Sequence, residues 1–305
     1  MISVIVPLYN EESVICECAK RLKNVLCAME HDWEIVFVND GSRDKTEALA
    51  REIIKEEKRI KLINFSRNFG HQTAITAGMD YAKGDAVVVI DADLQDPPEL
   101  IPQMVKKWQE GYMVVYGKRL KREKETLFKK VTAKAYYRIL KSITNVDIPV
   151  DTGDFRLIDK KVCDVLRCMK EKNRYVRGLV SFAGFSQCSV EYIRQGRLAG
   201  ETKYSLKKML RLATDGIASF SSAPLKLPLY IGGTLLFGAA VYLICMLFMG
   251  KGLSAISQFI SLAADSLILI FMGIFGEYIG RIYEECKGRP PYIVKDEVGF
   301  DEKKF

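Results

Sequence analysis

Two carboxylates one residue apart, Asp91 and Asp93, close the most apolar run in the first half of the chain, with Gln95 two positions further on. Hard oxygen ligands at this spacing suit Mg2+ or Mn2+ held jointly with a diphosphate, whose growing charge the cation neutralises. The same stretch also suits an Asx turn capping a helix, because Asp96-Pro97-Pro98 is a helix-start signal. A second polar cluster, Asp40-Gly41-Ser42, offers Asp40 as an acceptor for a base N–H and Ser42 as a helix cap, or simply a tight turn. Neither GxGxxG nor GxxxxGK[ST] occurs, which argues against a dehydrogenase or an NTPase. A nucleoside diphosphate here must be held through metal and basic side chains.

The elements that would position these residues follow from hydrophobic period. Short Val/Ile-rich runs alternate with amphipathic stretches, the pattern of βα units on a mainly parallel sheet. Strands are predicted at Ser3–Leu8, Glu34–Asn39, Ile60–Phe65, Ala86–Ile90 and Met113–Tyr116, and helices at Glu12–Met29, Lys45–Glu57, Gln72–Ala82 and Pro98–Glu110. Ligands in such sheets sit beyond the carboxyl ends of the strands. That rule gathers Tyr9-Asn10-Glu11, Asp40-Gly41-Ser42, Ser66-Arg67-Asn68, Asp91 to Gln95 and Gly117-Lys118-Arg119 into one crevice. Further on, Asp151 to Arg156 reads as a polar turn, followed by a helix near Lys160–Met169. His71 reads as a helix-start residue on the crevice wall rather than a catalytic base, and Trp33 and Trp108 as packing residues. Cys16 and Cys18 diverge on a helix, so they share no metal.

The chain has 305 residues, enough for a large core, and a formal charge of +8. Leu227–Met249 carries no charge, and Gly252–Gly276 carries only Asp265. The first stretch would extend about 34 Å as a helix, so a two-span membrane hairpin is expected. The start lacks the basic, then apolar, pattern of a signal peptide. Lys203, Lys207, Lys208, Arg211 and Lys226 precede the first span and Arg281, Lys287 and Arg289 follow the second, which predicts both flanks on the cytoplasmic side. Residues 203–222 are amphipathic and suited to a membrane surface. Much of the positive charge is thereby explained by acidic lipid, and nucleic acid is not an expected partner. Eight cysteines without a CxxC pair, and only two histidines, favour neither a zinc site nor a disulfide framework. The basic run Lys118–Lys130 admits three readings: a solvated helix face, a lipid contact or a lid. The tail Lys295–Phe305 is expected to be charged and mobile.

The segments VIVPLYNEE, VNDGSRDKT, NFSRNFGHQTA, GDAVVVIDADLQDPPE, DTGDFRLID and AGETKYSLKKML, in this order and followed by two apolar stretches, resemble family 2 glycosyltransferases acting on polyprenyl phosphates. The bactoprenol branch, akin to dolichol-phosphate mannose synthase, is the nearest in pattern. The resemblance implies a glycosyltransferase A-type, Rossmann-like fold, a nucleotide-sugar donor, a divalent cation (Mg2+ or Mn2+) and inversion at the anomeric carbon. By position it implies that Pro7, Tyr9, Glu11 and Asp40 hold the nucleoside. Asp91, Asp93 and Gln95 fall on its metal and diphosphate segment, and Arg119 on a phosphate contact. Asp154 falls on the acidic residue proposed as base, and Arg197, Lys203 and Tyr204 on the group that closes on the acceptor phosphate. Because a phosphate monoester has a second pKa of about 6, its oxygen needs little deprotonation, so Asp154 is left open between base and positioning group.

The expected organisation is a catalytic domain over 1–202, juxtamembrane helices over 203–226, a hairpin over 227–280 and a cytoplasmic tail over 281–305. The expected activity is hexosyl transfer from a nucleotide sugar, UDP-glucose first, to undecaprenyl phosphate; a GDP-mannose donor is the alternative. A processive polysaccharide synthase is disfavoured by the lack of QxxRW, and an inactive membrane scaffold by the intact acidic set Asp40, Asp91, Asp93 and Asp154. Gly232-Gly233 and Gly238-Ala239-Ala240 suit close helix contact, so a homo-oligomer is expected.

Overall fold

The computed structural model describes residues 1–120, 152–172, 174–193, 231, 234, 237–238 and 254–300. Its first half alternates strand and helix: β1 (Ile2–Leu8), α1 (Ile15–Cys27), β2 (Trp33–Asn39), α2 (Thr46–Glu56), β3 (Ile60–Phe65), α3 (His71–Tyr81), β4 (Ala86–Val89), α4 (Ile101–Gln109) and β5 (Val114–Arg119). There follow β6 (Thr152–Asp159), α5 (Lys160–Cys168), α6 (Val176–Phe182), β7 (Gln187–Tyr192), α7 (Ser254–Cys286) and β8 (Val294–Val298).

These eight strands form one sheet in the order β7-β5-β6-β4-β1-β2-β3-β8. The strands β4-β1-β2-β3 run parallel, β6 is antiparallel to both β4 and β5, and β8 is antiparallel to β3. The sheet is therefore mixed, with a parallel centre. Chain order reverses direction at β1, which has β2 on one side and β4 on the other, so the crevice opens beyond Leu8 and Val89.

Both faces of the centre are covered, which is why its strands read as unbroken apolar runs. Val4, Val6, Phe37, Leu62 and Val88 face the layer that includes α1 and α4, whereas Ile5, Val36, Ile63, Val87 and Val89 face the layer that includes α3 and α5. In α1, Ile15, Cys18, Ala19, Leu22 and Leu26 make the buried stripe that a 3.6-residue period demands. Gly78 on α3 lets that helix close on the sheet, since a Cβ there would lie 2.3 Å from Ile5 Cγ2.

Three expectations need correcting. The stretch read as a polar turn is strand β6, whose charged residues find partners along its length: Arg156 Nη2 donates to Gly153 O at 2.9 Å. The start of the tail is strand β8, not a mobile segment. It adds to the edge of β3, pairing Asn64 with Asp296 and Leu62 with Val298. The two-span hairpin is not found among the described residues, where no helix is long and apolar enough to cross a membrane. Helix α7 covers 33 residues, but it contains Asp265 and continues past Gly276 into Glu277, Arg281, Glu284 and Glu285. Of the first expected span only residues 231, 234, 237 and 238 are described, and the amphipathic stretch 203–222 and most of Lys118–Lys130 lie outside the described residues.

Candidate active site

The register of β4 against β6 dictates the centre of the site. Val89 pairs with Arg156 in antiparallel sense, so Asp91, two residues after Val89, and Asp154, two residues before Arg156, come side by side. His71, the first residue of α3, faces both from the adjoining loop. Its Nε2 lies 3.3 Å from Asp154 Oδ2 and 3.5 Å from Asp91 Oδ1. Gln72 ties this group to α6, donating from Nε2 to Asp154 Oδ2 at 3.2 Å and accepting Val176 N–H at 3.0 Å. Arg177 Nε lies 3.0 Å from Asp154 Oδ1 without hydrogen-bond geometry, which makes the contact an ion pair and leaves that buried oxygen with no donor among the described residues.

The charges set each other's protonation. Burial pushes the Asp91 carboxyl up to about 6, the His71 charge opposes this, and the nearby carboxylates of Asp154, Asp93 and Asp96 add to it. For Asp154 burial also acts upward, but Arg177 and the His71 hydrogen bond and charge outweigh it and hold the carboxyl well below the usual range. Burial would lower His71; its bond to Asp154 and the charges of Asp91 and Asp154 win and raise it to about 9. At neutral pH the centre is thus an imidazolium between two carboxylates.

The remaining expected residues line the same crevice with different degrees of freedom. Pro7 is buried within β1, paired with Val38, and Tyr9 stands exposed at the mouth. Glu11 N–H donates to Thr46 Oγ1 at 2.8 Å, and the Glu11 carbonyl accepts the first amides of α1. Asp40 is buried, and its oxygens accept Phe69 N–H at 2.6 Å and Gly70 N–H at 3.0 Å, so it organises the loop leading to His71. Gly41 is needed there, since it has φ +65° and a Cβ would lie 2.5 Å from the Arg67 carbonyl carbon. Asp93 Oδ1 accepts Gln95 N–H at 3.1 Å, the Asx turn that was one of the two readings of this segment. Arg119 is held by Asp96 and Tyr192, with Nε 3.1 Å from the Tyr192 hydroxyl, and that hydroxyl also donates to Asp96. Arg197, Lys203 and Tyr204 lie outside the described residues.

Among the described residues no three His, Cys, Asp or Glu side chains form a metal-binding group. The donor set still fits a hard cation that takes most of its ligands from a diphosphate, as Mg2+ commonly does with one or two carboxylates. Asp91 and Asp93 are of the right chemistry, and Asp91, raised chiefly by burial and further by the carboxylates of Asp154, Asp93 and Asp96, sits where a cation would favour its ionised form.

Sequence reasoning missed Gln72, Arg177 and Tyr192 and undervalued Asp96 and His71. His71 and Gln72 were within reach, since they follow the polar end of β3 directly; Arg177 and Tyr192 give no local signal.

Comparison with known proteins settles the family. Residues 3–167 match the model of glycosyl transferase family 2. An uncharacterized glycosyltransferase, YkcC, of Bacillus subtilis (strain 168) is 54% identical, covering 99% of this chain and 96% of its own. The bactoprenol glucosyl transferase of Shigella phage SfV is 38% identical, covering 97% and 98%. Among solved structures, the glucosyl-3-phosphoglycerate synthase of Mycobacterium tuberculosis, crystallised with Mn2+, uridine diphosphate and phosphoglyceric acid, matches with TM-score 0.49 and 18% identity over 72% of this chain and 76% of its own. The chain belongs to glycosyl transferase family 2 and is a glycosyltransferase with the A-type α/β fold.

Proposed function

We propose that the protein transfers glucose, with inversion, from UDP-glucose to a polyprenyl phosphate such as undecaprenyl phosphate, giving a lipid-linked sugar monophosphate. Bactoprenol glucosyl transferases at 38% identity over nearly the whole chain support the acceptor class. The observation that carries the reading is the junction of Asp91, His71 and Asp154, where the carboxyl end of β4 meets the amino end of the antiparallel β6.

In this reading Tyr9, Glu11 and Asp40, with Pro7 beneath them, border the nucleoside; the oxygens of Asp40 keep second lone pairs for a base N–H. Asp91 and Asp93, with Gln95 beside them, hold a Mg2+ or Mn2+ ion together with the diphosphate. The cation, when bound, neutralises charge on the departing nucleoside diphosphate. Arg119, backed by Asp96, adds positive charge on the same side, and Arg197, Lys203 and Tyr204 meet the acceptor phosphate.

Asp154 acts as a fixed charge rather than a base. A carboxylate held far below its ordinary pKa by Arg177 and His71 is a weak proton acceptor, and the acceptor phosphate is largely ionised near neutrality. Residues 1–202, completed by strand β8 at the sheet edge, form the catalytic unit, and 203–226 lie on the membrane. The catalytic unit sits on the cytoplasmic side. A homo-oligomer completes the assembly.

The test is incubation of the purified protein with polyprenyl phosphate and a panel of radiolabelled donors, UDP-glucose and GDP-mannose included, with and without EDTA. Label in the organic phase from UDP-glucose, lost on chelation, is expected. Label from GDP-mannose alone replaces the donor assignment, and none from any donor refutes the reading.

A further inference from the structure

The geometry points to strand β8 as a positioning element of the donor crevice, acting from Asp296 through a chain of side-chain hydrogen bonds, buried at Asn39 and Asn64, to the loop after β1. Asp296 Oδ2 accepts Asn64 Nδ2 at 3.2 Å and is also bonded by Arg51. Asn64 Oδ1 accepts Asn39 Nδ2 at 2.9 Å. Asn39 Oδ1 in turn accepts Ser42 N–H at 3.1 Å, Ser42 Oγ accepts Asn10 N–H at 3.0 Å, and Asn10 Oδ1 accepts Arg43 N–H at 2.8 Å. The chain thus crosses the ends of β3, β2 and β1 and finishes beside Tyr9 and Glu11.

Its direction is fixed. Because Asn39 Oδ1 is committed to a backbone N–H, its amide must present Nδ2 to Asn64, and Asn64 must present Nδ2 to an acceptor. Only an acceptor at 296 completes the series, and Asp296 stands opposite Asn64 in the β3–β8 register. Asn39 and Asn64 are 1% and 0% exposed, so an unpartnered amide there is costly. Asparagine is also a poor strand residue, and two of them buried side by side call for a purpose other than packing. At the far end Asn10 holds φ +55°, a conformation kept by the bonds its amide and side chain make.

The kinetic part of the test rests on the nucleotide-sugar reading; the exchange part does not. In the full-length protein, Asp296→Ala should weaken donor binding about fivefold, seen as a raised donor KM and weaker titration by uridine diphosphate, with kcat within about twofold. Asp296→Asn keeps an acceptor for Asn64 and should restore near-normal affinity. Tyr81→Phe, which frees a different β8 anchor at Glu297, should leave affinity unchanged. Without any ligand, hydrogen exchange at the amides of Asn10, Ser42 and Arg43 should quicken in Asp296→Ala, while Phe69 and Gly70, held by Asp40, should not change. Unaltered exchange at residues 10, 42 and 43, or equal defects in all three variants, overturns the inference. If the wild type binds no nucleoside diphosphate, the functional reading fails, and the exchange data alone decide this one.

Discussion

Arg119 is gripped from behind by Asp96: Nη2 lies 3.3 Å from Oδ2, and both share the hydroxyl of Tyr192. Asp96 is 1% exposed, so Arg119 depends on a carboxylate shielded from solvent. Removing one partner of a buried pair costs about 3–5 kcal/mol. Asp96→Ala should therefore lower the melting temperature by about 10 °C, whereas Tyr192→Phe should cost about 1 kcal/mol. Thermal denaturation checks this; an Asp96→Ala protein melting with the wild type would mean that Arg119 needs no such support.

Replacing His71 removes the positive charge between two carboxylates. His71→Gln should reduce kcat about 10- to 100-fold with an unchanged circular dichroism spectrum and melting profile. Full activity in this variant would reduce the imidazole to a helix-start residue.

Chelation and Asp93→Ala should each abolish turnover, because the negative charge around Asp91 then faces the donor diphosphate without relief. Added Mg2+ or Mn2+ should restore the chelated wild type but not the variant. Wild-type rates in EDTA would remove the cation from the scheme.

Glu34 makes a prediction about acid stability. It is buried, accepting from Ser3 Oγ at 2.5 Å, Lys61 Nζ at 2.6 Å and Lys83 N–H at 2.8 Å. Burial acts to raise its pKa, but these donors outweigh it and the result is lowered. Its stabilisation is then fully present above the unfolded value of about 4.5 and fades as pH falls through the lower folded value. Glu34→Gln should cost about 3 kcal/mol at pH 7, with the gap to wild type shrinking below about pH 4. Urea unfolding at both pH values measures it; a gap independent of pH would mean that the ionised form contributes nothing.

The parallel centre was legible because burial on both faces leaves unbroken apolar runs such as Val4–Val6 and Val87–Val89, each ending in polar residues. Strands β6 and β8 were not. Thr152–Asp159 carries Asp154 and Arg156, and Val294–Val298 carries Lys295, Asp296 and Glu297, so both look solvated until the partners across the sheet are known. The site divides the same way. Asp40, Asp91 and Asp93 follow strand ends and are visible in one dimension. The contact of Asp154 with His71 depends on an antiparallel register that no local pattern encodes.

The seating of β8 on β3 also bears on how the chain is made. While the ribosome is still synthesising the long stretch between them, β3 has an unpaired edge, with Asn64 and Phe65 open to any passing strand. Closure must wait until residues 294–298 have emerged, so nascent chains stalled before residue 294 should be prone to aggregate and dependent on chaperones in a way the folded protein is not.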